Sequence, residues 1–228
     1  GRVIGPQNDK IWTIAMNIEN SNVPLLMLHG FGAGAAFWVL NFDDLAANRP
    51  VYAIDLPGYG KSSRSKFSKD AKEIEVQFCN AIERWRQLMK IDKFILLGHS
   101  FGGYISLAYA MQFPERIEHL ILADPWGFVG LPQDLNKYSL YERSQMYLTS
   151  KISPLMVVRK AGFLGPFLFR KVRSDIVEKY ENVVEKHDET ISKYVYHCNS
   201  QKNTGELAFK HLLEIGHWPK FPMCDRID

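Results

Sequence analysis

Cysteine is scarce in this 228-residue chain, with Cys79, Cys198 and Cys224 as the full set. An odd, sparse set without metal-ligand spacing excludes a disulfide framework and a zinc cluster, and predicts reduced thiols inside a cell. Each thiol reads as a small buried hydrophobe. Long apolar runs are missing too: no stretch approaches the ~18 residues a membrane-spanning helix requires. No secretory signal is visible. Neither sign of charge dominates, because 28 Lys and Arg stand against 25 Asp and Glu for a formal +3. That bias is too small to argue for a nucleic-acid partner. Internal repeats and low-complexity tracts are absent. The chain opens on Gly1 rather than Met, which predicts that it begins inside a longer protein.

What is present is apolar sequence in short bursts. Hydrophobic residues make up 46% and charged residues 23%, the profile of a globular domain with a sizeable core. Residues 11–18 read as a strand, followed by a turn at Asn20-Ser21-Asn22. Leu25-Leu26-Met27-Leu28, Val51-Tyr52-Ala53-Ile54, Phe94-Ile95-Leu96-Leu97 and Leu120-Ile121-Leu122-Ala123 are apolar without alternation. Such runs predict strands buried on both faces, as in a parallel sheet covered by helices. Between them lie helical patterns. The segment 70–90 opens with an Asp70/Glu73 capping-box spacing and sets Ile74, Phe78, Ile82, Trp85 and Met89 on one stripe. A second helix is predicted from Phe101 to Phe113, closed by Pro114, and a third between Ala35 and Leu45. Alternating strands and helices predict an α/β fold with a doubly wound, mostly parallel sheet.

Gly98-His99-Ser100-Phe101-Gly102 matches G-x-S-x-G between a predicted buried strand and a predicted helix. A turn this sharp forces the serine into strained backbone geometry, and the flanking glycines let strand and helix approach. The helix N-terminus beneath the hydroxyl favours the negative charge of an acyl-transfer intermediate. Ser100 is therefore the candidate nucleophile. The glycine-rich run His29-Gly30-Phe31-Gly32-Ala33-Gly34 follows a buried strand. It lacks a P-loop lysine and the spacing of a dinucleotide fingerprint. Its expected role is an oxyanion hole, with backbone donors at Phe31 and Phe101. His29 is expected to shape that loop rather than move protons. His99 is expected to project away from the serine hydroxyl. No metal and no cofactor is called for.

Together the residues resemble the α/β-hydrolase-domain 4/5 subfamily over nearly the whole chain. The match includes Lys10-Ile11-Trp12-Thr13, His29-Gly30-Phe31-Gly32, Trp38, Leu40-Asn41, Asp55-Leu56 with Gly58 and Gly60, and Ser62-Ser63. It continues through Gly98-His99-Ser100, Gly102-Gly103, His119-Leu120-Ile121-Leu122 and Asp124-Pro125-Trp126-Gly127-Phe128. Farther on come Tyr194, Tyr196-His197-Cys198-Asn199, Gly205-Glu206, Ala208-Phe209-Lys210 and Pro222-Met223. Ala33 replaces an expected glycine and Phe101 an expected leucine. No further buried-strand run appears from Gly127 to about Gly216, which predicts an α/β-hydrolase core at 1–126, a mainly helical cap at 127–216, and the start of a return to the core at 217–228. Retention of Ser100 resembles the hydrolytic branch, which implies a lysophospholipase or N-acyl-phospholipid hydrolase acting on a phospholipid-like substrate. Two alternatives stay open: a lysophosphatidate acyltransferase, and a non-catalytic lipid-droplet scaffold or lipase coactivator. Protein partners are not specified.

The resemblance also implies a triad acid and histidine beyond Asp228, together with the last strands of the sheet. Their loss would expose a sheet edge and leave the isolated chain weakly active. Asp124 is a local alternative for the acid, though a turn residue before Pro125 is the plainer reading. His197, His211 and His217 are weak alternatives for the base. His119 and Asp124 spell H-x₄-D, but residues five apart on a strand face opposite sides. From Lys151 to Arg173 there are six basic residues (Lys151, Arg159, Lys160, Arg170, Lys171, Arg173) and no acidic ones. They are interleaved with Leu155, Met156, Val157, Val158, Phe163, Leu164, Phe167, Leu168 and Phe169. Such a pattern suits an anionic membrane or lipid-droplet surface; a cap that turns its charges to solvent explains it equally. The expected location is intracellular and cytoplasmic, peripheral on such surfaces.

Overall fold

A strand covered on both faces must be apolar at every position, and the first two unbroken runs are buried throughout, while the third half-buries Ile95 and Leu97. The computed structural model describes residues 2–3, 9–151, 154–180, 183 and 189–227, with only the backbone of some, among them Lys151, Val157 and Val158. Strands β1 (Arg2–Val3) and β2 (Lys10–Ile11) pair antiparallel. Trp12 interrupts the long strand expected over 11–18: β3 covers Thr13–Met16, and Asn17 turns the chain away with φ of 50°. Then follow β4 (Leu25–Leu28), a 3-10 segment at Ala35–Asn41, α1 (Phe42–Ala46) and β5 (Val51–Ile54). Next come α2 (Ala71–Met89), β6 (Phe94–His99), α3 (Phe101–Gln112) and β7 (Ile117–Ala123).

The main sheet has the order β3-β5-β4-β6-β7, with β3 antiparallel and the remaining pairs parallel. Successive side chains of a strand face opposite sides. Leu26 and Leu28 accordingly enter one core with Tyr52, Ile54, Phe78, Trp85, Phe94 and Phe101. Leu25 and Met27 enter the other with Val51, Ala53, Ala35, Phe42 and Ala46. Burying a phenylalanine of this kind contributes roughly 2–3 kcal/mol. Trp85 also donates to Thr13 Oγ1 at 3.0 Å, tying α2 to the edge strand β3.

The cap of α2 forms by a different route from the one expected. Asp70 accepts from the Glu73 amide at 3.0 Å, but the Glu73 carboxylate takes the Ser68 hydroxyl at 2.5 Å. Ser68 Oγ in turn accepts the Asp70 amide at 3.1 Å, so a third residue closes the box. The stripe itself is as expected, with Ile74, Phe78, Ile82 and Trp85 buried and Met89 packed against them.

The fourth run departs from expectation. β7 is an edge of the sheet among the described residues, and Ile121 is 38% exposed because no described element covers that side. Beyond it the described chain is helical: α4 (Leu140–Lys151), α5 (Pro154–Lys160), α6 (Gly165–Val172), α7 (Ser174–Lys179), α8 (Thr190–Asn199) and α9 (Thr204–Leu212). The chain then runs back to the first core, where Met223 is wholly buried and its amide meets the Gly127 carbonyl at 2.9 Å. Arg226 locks this return by binding both oxygens of Glu75, which also accepts the Tyr104 hydroxyl at 2.8 Å. Cys79 and Cys198 are buried as expected, and burial pushes their thiols up, Cys198 to about 12. Cys224 is exposed instead, since the short turn at Met223–Asp225 buries only Met223. No described helix is long and apolar enough to cross a membrane.

Candidate active site

The site begins where β6 ends. Between β6 and α3, Ser100 takes φ 52° and ψ −119°, a backbone conformation that costs a non-glycine residue on the order of 1–3 kcal/mol. Four backbone hydrogen bonds hold it there. Its amide donates to the Ala123 carbonyl at 3.2 Å, and its carbonyl accepts from Gly103, Tyr104 and Trp126 at 2.9, 3.2 and 3.0 Å. The glycines act as the motif predicts. A Cβ at Gly98 would strike the Gly102 carbonyl and the Ser106 hydroxyl, and one at Gly102 would lie 2.5 Å from the Leu28 oxygen.

Ser100 lines a cavity of about 850 Å³ together with His29, Gly30, Phe31, Gly32, Ala33 and His99. Its walls are mostly apolar: Phe37, Trp38, Leu155, Leu168, Phe169, Val172, Ile176 and Val195. The Ser100 hydroxyl hydrogen-bonds to no other side chain among the described residues. The Phe31 amide donates to no backbone group among them either, and the Phe101 amide, first in α3, has no carbonyl one helical turn back to bind. The Phe101 ring stays out of the cavity, fully buried against Phe78 and Phe209 at centroid distances of 5.5 and 4.9 Å.

His29 is built into the loop. Its Nε2 accepts the Leu56 amide at 3.0 Å, so the ring is neutral and Nδ1 donates to the Gly30 carbonyl at 2.8 Å. Burial lowers its pKa, with Asp55 and the Gly30 carbonyl opposing and His99 assisting. Both nitrogens are occupied, which suits a structural part. A consequence follows for stability. Below the ordinary histidine value of 6.5 the unfolded chain binds a proton that folded His29 resists. Its contribution is therefore complete above that pH and is lost as the pH falls below it. Urea midpoints of wild type at pH 7.5 and 5.5 are expected to diverge more than those of His29→Gln. Equal divergence would remove His29 as the source.

His99 makes no hydrogen bond to the Ser100 hydroxyl among the described residues. It is exposed, lines the same cavity as Ser100, and lies across Gly30, with Nδ1 3.0 Å from where a Cβ there would be. The motif places it at the end of β6, where the last side chain leaves the sheet beside the glycine loop. Asp124 sits at the tip of β7 with φ of 44°, exposed, and hydrogen-bonds to no histidine among the described residues. His119, His197, His211 and His217 are all absent from the cavity lining. His197 packs on Tyr196, and the His217 carbonyl accepts the Trp126 indole N–H at 2.7 Å.

Two residues that organise the site, Asp55 and Asn199, carried no role in the sequence reading. Asp55, 3% exposed, accepts the Ala35 amide at 2.7 Å on one oxygen and the Lys61 amide at 2.8 Å on the other. It thus ties the segment after the glycine loop to the loop that carries Lys61. Its position at the carboxyl end of a buried strand was the available signal. Asn199, at the end of α8, donates to the Gly32 carbonyl at 2.7 Å, and its own carbonyl accepts Arg159 at 3.2 Å. Arg159 in turn forms an ion pair with Glu206 at 2.5 Å, so α5, α8 and α9 all bear on the glycine loop. No pattern in the sequence marks these contacts, which span 40 residues or more.

A profile described as alpha/beta hydrolase fold matches residues 23–147. The chain belongs to this family. Within it, the resemblance to the domain 4/5 subfamily is met by two human relatives. One, called 1-acylglycerol-3-phosphate O-acyltransferase ABHD5, is 44% identical over 96% of this chain and 63% of its own length. The other, called (Lyso)-N-acylphosphatidylethanolamine lipase, is 42% identical over 97% of this chain and 66% of its own. The chain thus spans slightly under two thirds of the length of either relative. Among solved structures, an epoxide hydrolase of Bacillus megaterium superposes with a TM-score of 0.66 at 18% identity, covering 89% of this chain and 68% of that one. An esterase of Thermogutta terrifontis gives 0.60 at 17%, covering 96% and 71%. At such identities these two speak for the fold alone, and the fold is the α/β hydrolase one.

Proposed function

We propose that Ser100 is the nucleophile of a hydrolase acting on acyl ester or amide bonds of phospholipid-like substrates, of lysophospholipase or N-acylphosphatidylethanolamine lipase type. The observation that carries this reading is a serine at positive φ on a strand-to-helix turn, opening into a mostly apolar cavity. The hydroxyl attacks the acyl carbonyl, and the amides of Phe31 and Phe101 hold the developing oxyanion. The segment 127–216 acts as a cap, a role supported by Leu155, Leu168, Phe169 and Val195 in the cavity wall. The name of the lipase relative supports the substrate class. No histidine among the described residues hydrogen-bonds to the Ser100 hydroxyl. A general base in such a site is worth on the order of 10⁴–10⁶ in turnover, so these 228 residues alone are expected to hydrolyse slowly.

The test is a fluorophosphonate probe followed by peptide mass mapping, with long incubation to allow for weak activation. An adduct on the Ser100 peptide supports the enzyme. Adducts only elsewhere would favour the scaffold or coactivator reading. The name of the other relative supports a second reading, lysophosphatidate acyltransfer, which predicts phosphatidate formation that depends on acyl-CoA.

The cap also rests against a lipid surface in this proposal, whether membrane or lipid droplet. Phe163 is 91% exposed and Val172 76%, beside Lys160 and Lys171. Apolar bulk among cations is the composition of an interfacial anchor. Cosedimentation with phosphatidylserine-containing vesicles is expected to drop about tenfold for Phe163→Ser with Phe167→Ser, which both lose apolar area at the surface. An unchanged bound fraction would return these side chains to the solvent-facing reading.

A further inference from the structure

The charged residues that line the cavity, among those described, are Arg173 and Lys179, and both are cations. They sit at the two ends of α7, with Ile176 on the same face between them. The helix is held firmly. Val177 and Tyr180 pack with Ile191, and the Tyr180 hydroxyl donates to the Phe37 carbonyl at 2.8 Å. The two cations are not equivalent. Arg173 is taken up by Asp175, its Nε and Nη2 each 2.9 Å from a carboxylate oxygen, and this contact holds the Asp175 carboxyl below its usual range. Lys179 lies four residues after Asp175, the spacing and polarity at which a helical carboxylate would otherwise claim it. No carboxylate among the described residues lies within ion-pair distance of Lys179.

We propose that Lys179 is the headgroup anchor of this cavity, binding the phosphate of an anionic lysophospholipid whose acyl chain fills the apolar wall. Arg173 is the positioning residue that keeps Asp175 occupied and so leaves Lys179 open. This rests on the reading of the cavity as an acyl site and adds the charge of the ligand to it. An ammonium ion is a compact point charge that suits phosphate without demanding a fixed bidentate geometry. The opposing polarity of the two regions, apolar wall and cationic mouth, would orient an amphiphile along one axis.

The experiment compares two ligands that share a chain, 1-oleoyl lysophosphatidate and neutral 1-oleoylglycerol, each below its aggregation limit. Binding to the full chain is read by calorimetry. Lys179→Gln is expected to weaken lysophosphatidate about fivefold, the size of one exposed charge contact, while oleoylglycerol stays within about twofold. Arg173→Gln should weaken lysophosphatidate in the same direction, because freed Asp175 turns on Lys179. Asp175→Asn together with Arg173→Gln should restore it, an outcome that a purely structural part for Arg173 does not produce. Glycerol 3-phosphate, the headgroup alone, should not compete at millimolar concentration; competition would make this a free-phosphate site and overturn the lipid assignment. Equal losses for both oleoyl ligands, or none for either, would overturn the anchor. If wild type binds neither ligand, the acyl reading of the cavity falls and this inference falls with it. Binding of both with no dependence on Lys179 would remove the anchor alone.

Discussion

Alanine at Ser100 is expected to abolish the fluorophosphonate adduct at that peptide while leaving the urea midpoint within error of wild type. The hydroxyl makes no side-chain hydrogen bond among the described residues, so its removal strands no partner. Glycine at the same position is expected to abolish the adduct as well, but to raise stability by about 1 kcal/mol. The reason is the backbone: φ of 52° with ψ of −119° is a region that glycine enters freely and serine does not. Part of the strain released is returned by the larger entropy of the unfolded glycine chain, which keeps the net gain modest. The pair of variants separates chemistry from strain. An adduct that survives in Ser100→Ala would assign the nucleophile elsewhere, and a glycine variant less stable than wild type would show that the elbow carries no strain.

Gly102→Ala is expected to cost about 3 kcal/mol or more. The added carbon would lie 2.5 Å from the Leu28 oxygen, 2.6 Å from the His29 oxygen and 2.8 Å from the Leu28 carbonyl carbon. All three are backbone atoms of β4 or the residue after it, and β4 is fixed between β5 and β6. The strand cannot move aside by rotating a side chain; α3 must lift from the sheet instead. Lifting α3 would also separate Ser100 from the glycine loop, so reactivity should fall along with the urea midpoint. Gly162→Ala serves as the control. A Cβ there meets nothing within 4 Å, and its only penalty is φ of 55°. A Gly102→Ala midpoint close to that control would mean that the close approach of helix and strand does not limit stability.

The parts of the fold that were legible in the sequence are those decided by local periodicity and by glycine. Runs without alternation, such as Val51–Ile54, have no polar face to offer solvent, so burial on both sides followed. The elbow was legible because three residues with no Cβ tolerance or with a nucleophilic oxygen stand at fixed spacing between a strand and a helix. The run at Leu120–Ala123 has the same appearance, yet β7 is half exposed, because the number of layers around a strand is a property of its neighbours. The contact of His99 with Gly30 was hidden for a related reason: that loop is 69 positions away in the chain. The Ser68 contribution to the α2 cap was likewise hidden, since it comes from a residue before the expected box.

The site divides along the same line. By itself the sequence determined the α/β architecture, the strained serine and the glycine loop beside it, because each depends on which atoms a residue possesses and on neighbours within a few positions. Only the tertiary structure decided that Asp55 ties two loops together, that Asn199 clasps the Gly32 carbonyl, and that Lys179 lines the cavity with no carboxylate partner among the described residues. Those contacts join residues far apart in the chain, and a hydrogen bond or an unclaimed charge exists only once the packing has set which groups meet.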